Sequence, residues 1–211
     1  MGDIKIGRMV LGPVSTNTYF LYREGGSEAV VVDPADYGKL IYDKLLENGL
    51  QVSAILLTHG HFDHIWGVKA LKEAAPEIKI FAAEAEKELL ADVKLNVSGQ
   101  TGRPCVIKAD SYVKDGEVLH LADMDIRVID TPGHTVGGCC FYVEEAGILV
   151  SGDTLFQDSV GRTDLPTGSM SALVRSVRDK LFVLPDEVKV YPGHGEDTSI
   201  GHEKKYNPYC V

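Results

Sequence analysis

The segment Thr58-His59-Gly60-His61-Phe62-Asp63-His64 places three of the chain's seven histidines within six residues. Neutral imidazole and carboxylate are the ordinary ligands of zinc and similar divalent ions. In an extended turn, His59 and His61 can aim at one point. Asp63 and His64 enter what reads as the first turn of a helix and aim elsewhere, so one short segment can serve two ions. An aspartate at that place is also favoured by the helix dipole. If these groups merely capped a helix, several imidazoles would be buried without a shared partner, which is costly.

Three further segments share one layout, a strand-like run and then a turn with a potential ligand. They are Asp130-Thr131-Pro132-Gly133-His134, Leu149-Val150-Ser151-Gly152-Asp153 and Val190-Tyr191-Pro192-Gly193-His194. Glycine stands directly before the ligand each time, permitting a tight turn and close backbone approach. One such turn is weak evidence, since a lone histidine is more often structural. Three of them beside the first cluster form a constellation. His59, His61 and His134 then supply one ion, and Asp63, His64 and His194 the second, with Asp153 as a bridge. Each ion keeps an open position for a shared water, the arrangement of a catalytic rather than a structural site. The expected cofactors are two divalent ions, zinc first, with iron or manganese as alternatives.

The elements that must bring these turns together are legible as periodicity. Ile4 to Leu11, Thr18 to Arg23 and Glu28 to Asp33 are β-branched or aromatic runs broken by glycine and proline, hence strands. Tyr37, Ile41 and Leu45 are spaced for a helix face, stopped at Gly49. Val52 to Leu57 is a compact apolar strand ending at Thr58. A helix is expected from about Ile65 to Ala75, before Pro76; another strand and helix reach about Ala91, and Asp92 to Pro104 reads as a polar surface loop near the site. Glu117 to Ala122, Ile126 to Asp130, Cys139 to Val143, Ile148 to Ser151 and Val188 to Tyr191 read as strands. Ser169 caps a helix with a core stripe of Met170, Leu173, Val174, Val177 and Leu181, and a short helix follows Ser199. Strands then helices, twice over, with no linker, biased tract or repeat, imply two sheets packed face to face under helices, in one domain over residues 1–211.

The formal charge of −10 disfavours nucleic acid as a partner. None of Cys105, Cys139, Cys140 and Cys210 forms a CxxC pair, and Cys139 and Cys140 should point to opposite faces of one strand. They read as buried thiols of a reducing compartment. Met1 to Gly12 lacks the layout of a signal peptide, and no apolar run approaches the ~20 residues that cross a bilayer, so a cytosolic protein without membrane contact is expected. His120, His202, Trp66 and Tyr191 read as structural.

These motifs closely resemble the metallo-β-lactamase superfamily, whose HxHxDH signature and separate His, Asp and His turns are met over essentially the whole chain. The resemblance implies an α/β (α+β) fold, a four-layer αββα sandwich. Gly161-Arg162-Thr163-Asp164 and Thr198-Ser199-Ile200-Gly201-His202-Glu203-Lys204 are similar to the short glyoxalase II-like branch. It implies a zinc-dependent hydrolase acting on a small-molecule thioester such as S-D-lactoylglutathione, by a hydroxide held between the metals. Asp63 would be the catalytic residue, ligating one ion and orienting that nucleophile. Full-length glyoxalase II adds a C-terminal helical domain with glutathione contacts, whereas 17 residues follow His194 here. Arg162 is then the expected substrate-binding residue, because a guanidinium suits carboxylate. Two other classes share the pattern: a persulfide dioxygenase with one iron on His59, His134 and Asp153, and a non-catalytic metal-binding scaffold. Filled ligand positions for two metals favour the hydrolase. Hydrolysis of β-lactams is disfavoured by the missing export signal.

Overall fold

The β-branched runs of the first third form strands β1 (Ile4–Leu11), β2 (Thr16–Arg23) and β3 (Glu28–Val32) in a computed structural model that describes residues 2–210. Helix α1 (Gly38–Glu47) buries Ile41 and Leu45 as the spacing predicts. Tyr37 departs from that stripe. It precedes the helix at φ 50°, so the helical period does not reach it, and it is 60% exposed.

Strand β4 (Gln51–Leu57) is buried on both faces, with Ala54 and Leu56 on one side and Ile55 and Leu57 on the other. The single helix expected from Ile65 to Ala75 is two: α2 (Phe62–Ile65) and α3 (Val68–Ala74). The break at Gly67 has a steric cause. Its amide donates to the Pro34 carbonyl at 2.8 Å, and a Cβ there would lie 2.6 Å from that oxygen. Strand β5 (Lys79–Ala83), helix α4 (Lys87–Ala91) and strand β6 (Ser111–Val113) complete the first half. The segment read as a polar surface loop does lie against the histidine turn, since the Phe62 amide donates to the Asn96 carbonyl. Yet Asn96 and Ser98 are buried, their side chains satisfied by local backbone, so its middle is packed rather than solvated.

The second half supplies β7 (Val118–Leu121), β8 (Met124–Asp130), β9 (Cys139–Val143) and β10 (Ile148–Gly152), then a small hairpin, β11 (Leu155–Phe156) and β12 (Ser159–Val160). Helix α5 (Met170–Ser176) starts at the Ser169 cap and widens into a π-helical turn over Val177–Leu181. Its core stripe begins at Leu173; Met170, in the opening turn ahead of that contact, is exposed. Strands β13 (Lys189–Pro192) and β14 (Thr198–Ser199) and helix α6 (Ile200–Tyr206) end the chain.

Two six-stranded sheets result, ordered β1-β2-β3-β4-β5-β6 and β14-β13-β10-β9-β8-β7. Tyr19, Leu21, Val30 and Leu56 of the first meet Ile126, Val128, Phe141 and Val150 of the second between the sheets. Outside the first sheet, α1 and α3 cover Val31, Ile55 and Leu57; outside the second, α5 and α6 cover Tyr142, Leu149 and Val190. This is the four-layer αββα sandwich. Each fully buried leucine or valine contributes about 1.5–3 kcal/mol by leaving water. Cys139 faces the inner core and Cys140 the outer one, as strand alternation requires.

Strand pairing also fixes where the ligand turns emerge. β8, β10 and β13 run in the same direction, so their carboxyl ends share one rim. The Cys139 amide donates to the Thr58 carbonyl at 2.9 Å, tying that rim to the end of β4.

Candidate metal centre

All seven expected ligands meet at this rim. His59, His61 and His134 present ring nitrogens within 4.8 Å of one another, and a carboxylate oxygen of Asp63 and ring nitrogens of His64 and His194 lie equally close together. Asp153 stands between the groups: one carboxylate oxygen is 3.4 Å from His64 Nε2, and the other lies 3.5 Å from His134 Nε2 and 3.6 Å from His194 Nε2. Asp63 Oδ2 lies 3.2 Å from His194 Nε2 and accepts from the Thr16 hydroxyl at 3.0 Å.

The histidine orientations follow from what each ring does with its other nitrogen. His64 Nδ1–H donates to Asp33 Oδ2 at 2.8 Å, and His134 Nδ1–H to the Arg162 carbonyl at 2.7 Å. Asp33 Oδ2 also accepts from the Thr58 hydroxyl at 2.6 Å, which leaves that oxygen to accept from His59 Nδ1–H at 3.1 Å. Three Nε2 lone pairs are thereby turned inward. The buried Nε2 atoms of His59 and His64 and Oδ1 of Asp153 have no hydrogen-bond partner. Buried acceptors without donors are costly unless a cation satisfies them. Tetrahedral ligation at ~2.1 Å sets neighbouring donors ~3.4 Å apart, which the Asp153 contacts at 3.4–3.6 Å match, while His61 Nδ1 and His134 Nε2 stand closer, at 2.9 Å. The donor set fits two cations.

Charge and burial divide the centre. Burial first, then neighbouring imidazoles, hold His59 well below its ordinary value, and burial with His134 brings His61 down to about 3. Burial opposes a charge on His64 too, but Asp153, Asp63 and Asp33 outweigh it and raise this ring well above the usual range, so that a cation bound at Nε2 takes the place of a proton there. On His194 burial is likewise overcome, by the Asp63 hydrogen bond and the Asp153 charge. For Asp63 and Asp153 burial alone would raise the carboxyls; the adjacent imidazoles hold both below it.

The glycines before the ligands are needed. A Cβ on Gly193 would stand 2.2 Å from Asp153 Oδ1, and one on Gly152, at φ 50°, would stand 2.3 Å from the Thr58 hydroxyl. The His194 turn is fastened from the opposite sheet: Asn17 Nδ2 donates to the carbonyls of Pro192 and Gly195, and the Tyr19 hydroxyl donates to Pro192.

Above the donors opens a cavity of about 410 Å³ whose apolar wall includes Val14, Phe62, Phe156, Val160 and Leu165. Arg162 reaches its edge, exposed and bidentate to Asp164 at 2.7 Å on both bonds. His120 and His202 lie apart, paired with Asp125 and Asp158. Trp66 is buried against Phe62 and donates to the Arg103 carbonyl, which makes it core.

Asp33, Thr16, Asn17 and Glu86 join the site without a role expected from the sequence. Asp33 had a signal, because an apolar strand ending in a polar residue is the layout of the other ligand turns. Glu86, fully buried with its side chain against Thr135, is one glutamate among several in a charged stretch and carries no local mark.

A family model described as the Metallo-beta-lactamase superfamily matches residues 11–194. The chain is 36% identical to the probable metallo-hydrolase YqgX of Bacillus subtilis (strain 168), with 98% of this chain and 97% of that protein covered. It is 32% identical to the hydroxyacylglutathione hydrolase GloC of Haemophilus influenzae over 86% of each. Among solved structures, the BLEG-1 B3 metallo-beta-lactamase superposes with a TM-score of 0.92 at 38% identity, covering 98% of this chain and all of that one. TTHA1623 in a di-iron-bound form gives 0.86 at 34% identity, with 96% and 99% covered.

Proposed function

This chain belongs to the metallo-beta-lactamase superfamily, and from that premise we propose that it is a two-metal thioesterase with His59, His61, Asp63, His64, His134, Asp153 and His194 as its metal ligands. The observation that carries the reading is the pair of donor clusters joined by Asp153 beneath an apolar cavity. The hydroxyacylglutathione hydrolase among the relatives supports a thioester as substrate. Zinc is the proposed metal; a relative solved in a di-iron-bound form keeps iron as an alternative, and manganese stays one from the ligand chemistry alone.

The chemistry such ions supply when bound is polarisation of a carbonyl and generation of hydroxide near neutral pH. The chain's own groups do the rest. Asp63, held by Thr16, directs a carboxylate oxygen into the centre and orients the attacking water through its proton. Phe62, Phe156, Val160 and Leu165 line the wall that receives the substrate's apolar portion and displaces solvent. A thiolate leaves without a strong acid, since thiols ionise near pH 8.5. Arg162 meets a substrate carboxylate by exchanging it for Asp164; exposed ion pairs hold by only about 0–1 kcal/mol, so this exchange is cheap. The cytosolic location expected from the sequence is consistent with four free cysteines. Among the described residues no helix is long and apolar enough to cross a membrane.

Metal quantification on the purified protein, joined to an S-D-lactoylglutathione hydrolysis assay, tests the proposal. Two divalent ions per chain and thioester turnover are expected. One iron per chain with oxygen uptake on glutathione persulfide would instead indicate a dioxygenase using His59, His134 and Asp153. A fully loaded protein inert to thioesters, lactones, phosphoesters and a β-lactam would be the scaffold.

A further inference from the structure

The segment from Thr198 to Lys204, singled out in the sequence, contributes no ligand and no cavity wall, yet it holds a fully buried carboxylate. Glu203 on α6 is 0% exposed. Its Oε1 accepts from the Thr198 hydroxyl at 2.6 Å, and its Oε2 accepts from Asn207 Nδ2 at 2.8 Å. Both oxygens face the Asp158 amide, at 3.3 and 3.1 Å. Asn207 Nδ2 donates a second time, to the Ser159 carbonyl at 3.0 Å. Asp158, His202 and Glu203 do offer donor atoms within 4.8 Å of one another, as a cation site would. The Glu203 oxygens are already satisfied by protein donors, and nothing buried there lacks a partner, so this cluster reads as a clamp.

The clamp grips the tip of the β11–β12 hairpin. That hairpin leaves directly after Asp153 and Thr154, carries Phe156 against His194 with ring centroids 6.2 Å apart, and returns the chain to Gly161 and Arg162. The return is tight, for a Cβ on Gly161 would lie 1.9 Å from the Asp153 carbonyl oxygen and 3.2 Å from His134 Nδ1. The Arg162 carbonyl there receives the His134 ring proton. Hairpin height therefore decides where that carbonyl stands.

We propose that Glu203 is a positioning residue for the metal centre, acting through the hairpin and the Arg162 carbonyl on the orientation of His134. The inference rests on His134 being a ligand, as proposed above. Groups that orient a ligating histidine typically change metal affinity by about 10–100-fold when removed. A glutamine at 203 is nearly isosteric but must turn an NH2 toward one of several converging donors. Asn207 can relieve that conflict by flipping its amide, and it then loses the bond to Ser159.

The test is competition between Zn2+-loaded protein and a chromogenic chelator, with thermal melts of the chelated protein alongside. Glu203→Gln is expected to weaken the ion held by His134 by up to about 10–100-fold and the other ion less. Asn207→Ala, which cuts a single tie to the hairpin, should move the same ion less, and it carries the test if Glu203→Gln does not fold. Asp158→Asn suits the φ of 52° at this turn, keeps the backbone amide and removes the charge from the surface pair with His202, so it should match wild type. Both ions loosening together in step with the melting temperature would reduce Glu203 to a structural residue and overturn the proposal, as would no change in either. Failure of the underlying assignment looks different: His134→Ala would then retain both ions at wild-type affinity.

Discussion

An imidazole becomes a ligand when one of its nitrogens is occupied elsewhere, and here a single carboxylate does this for two rings. Asp33 accepts directly from His64, and from the Thr58 hydroxyl that in turn accepts from His59. It also accepts from the Thr58 amide at 2.8 Å. Asp33→Ala strands these buried donors at about 1–3 kcal/mol each and releases both rings to rotate. The expected result is lower stability of the chelated protein in denaturant, with metal affinity down by about 10–100-fold. Wild-type affinity would make Asp33 a packing residue alone. Asp33→Asn, keeping one acceptor oxygen, should fall between. The ligands themselves were legible because imidazoles rarely cluster in sequence without a shared task. Arg162 shows the limit of such reading. The sequence marks its guanidinium, whereas its contact with a ligand is made by the carbonyl that every residue owns.

Strands were legible because alternation and β-branching survive in the sequence, and the ligand turns were legible because each strand ends in Gly-His or Gly-Asp. What escaped was set by contacts distant in sequence. The break between α2 and α3 comes from Pro34, and the start of the α5 stripe at Leu173 comes from where that helix meets its sheet. Thr16 and Asn17, which secure Asp63 and the His194 turn, lie just before the stretch whose pattern announces β2. The turns themselves offer a discriminating substitution. In Gly193→Ala the new methyl would sit 2.2 Å from Asp153 Oδ1 and 2.7 Å from His64 Cε1, both far from any yielding surface. Displacing reacting groups by about 1 Å can cost ~100-fold in rate, so thioesterase activity should fall at least that far while the far-UV spectrum is kept. Gly49→Ala is the control. Its Cβ meets nothing within 4 Å, and its φ of +76° costs some stability at the end of α1, away from the centre. Equal activity in the two variants would refute this account of the turn.

At the scale of the whole molecule, the histidine turn of one sheet and the His134 turn of the other meet over Glu86. Its carboxyl accepts from Thr135 and is approached by the amides of Gly137 and Gly60, yet Oε2 has no close partner. Burial dominates those donors and pushes this carboxyl up to about 7. The sign of the linkage follows. Below the unfolded value near 4.5 both states hold the proton, and stability is unaffected. Between there and 7 the unfolded chain has released it and the folded chain has not, so folding weakens as pH rises. Above 7 the loss is complete, about 3 kcal/mol from that gap at 1.36 kcal/mol per unit. Glu86→Gln removes the titration and keeps the shape. Denaturant unfolding of chelated protein at pH 5 and pH 8 should therefore show the variant gaining on wild type at the higher pH. The difference between the two proteins isolates Glu86, since every other titrating group is common to both. A gap between them that stays constant from pH 5 to 8 would mean that Glu86 ionises normally beneath the metal centre, and that the two sheets are joined there by a charge rather than by a proton-bearing acid.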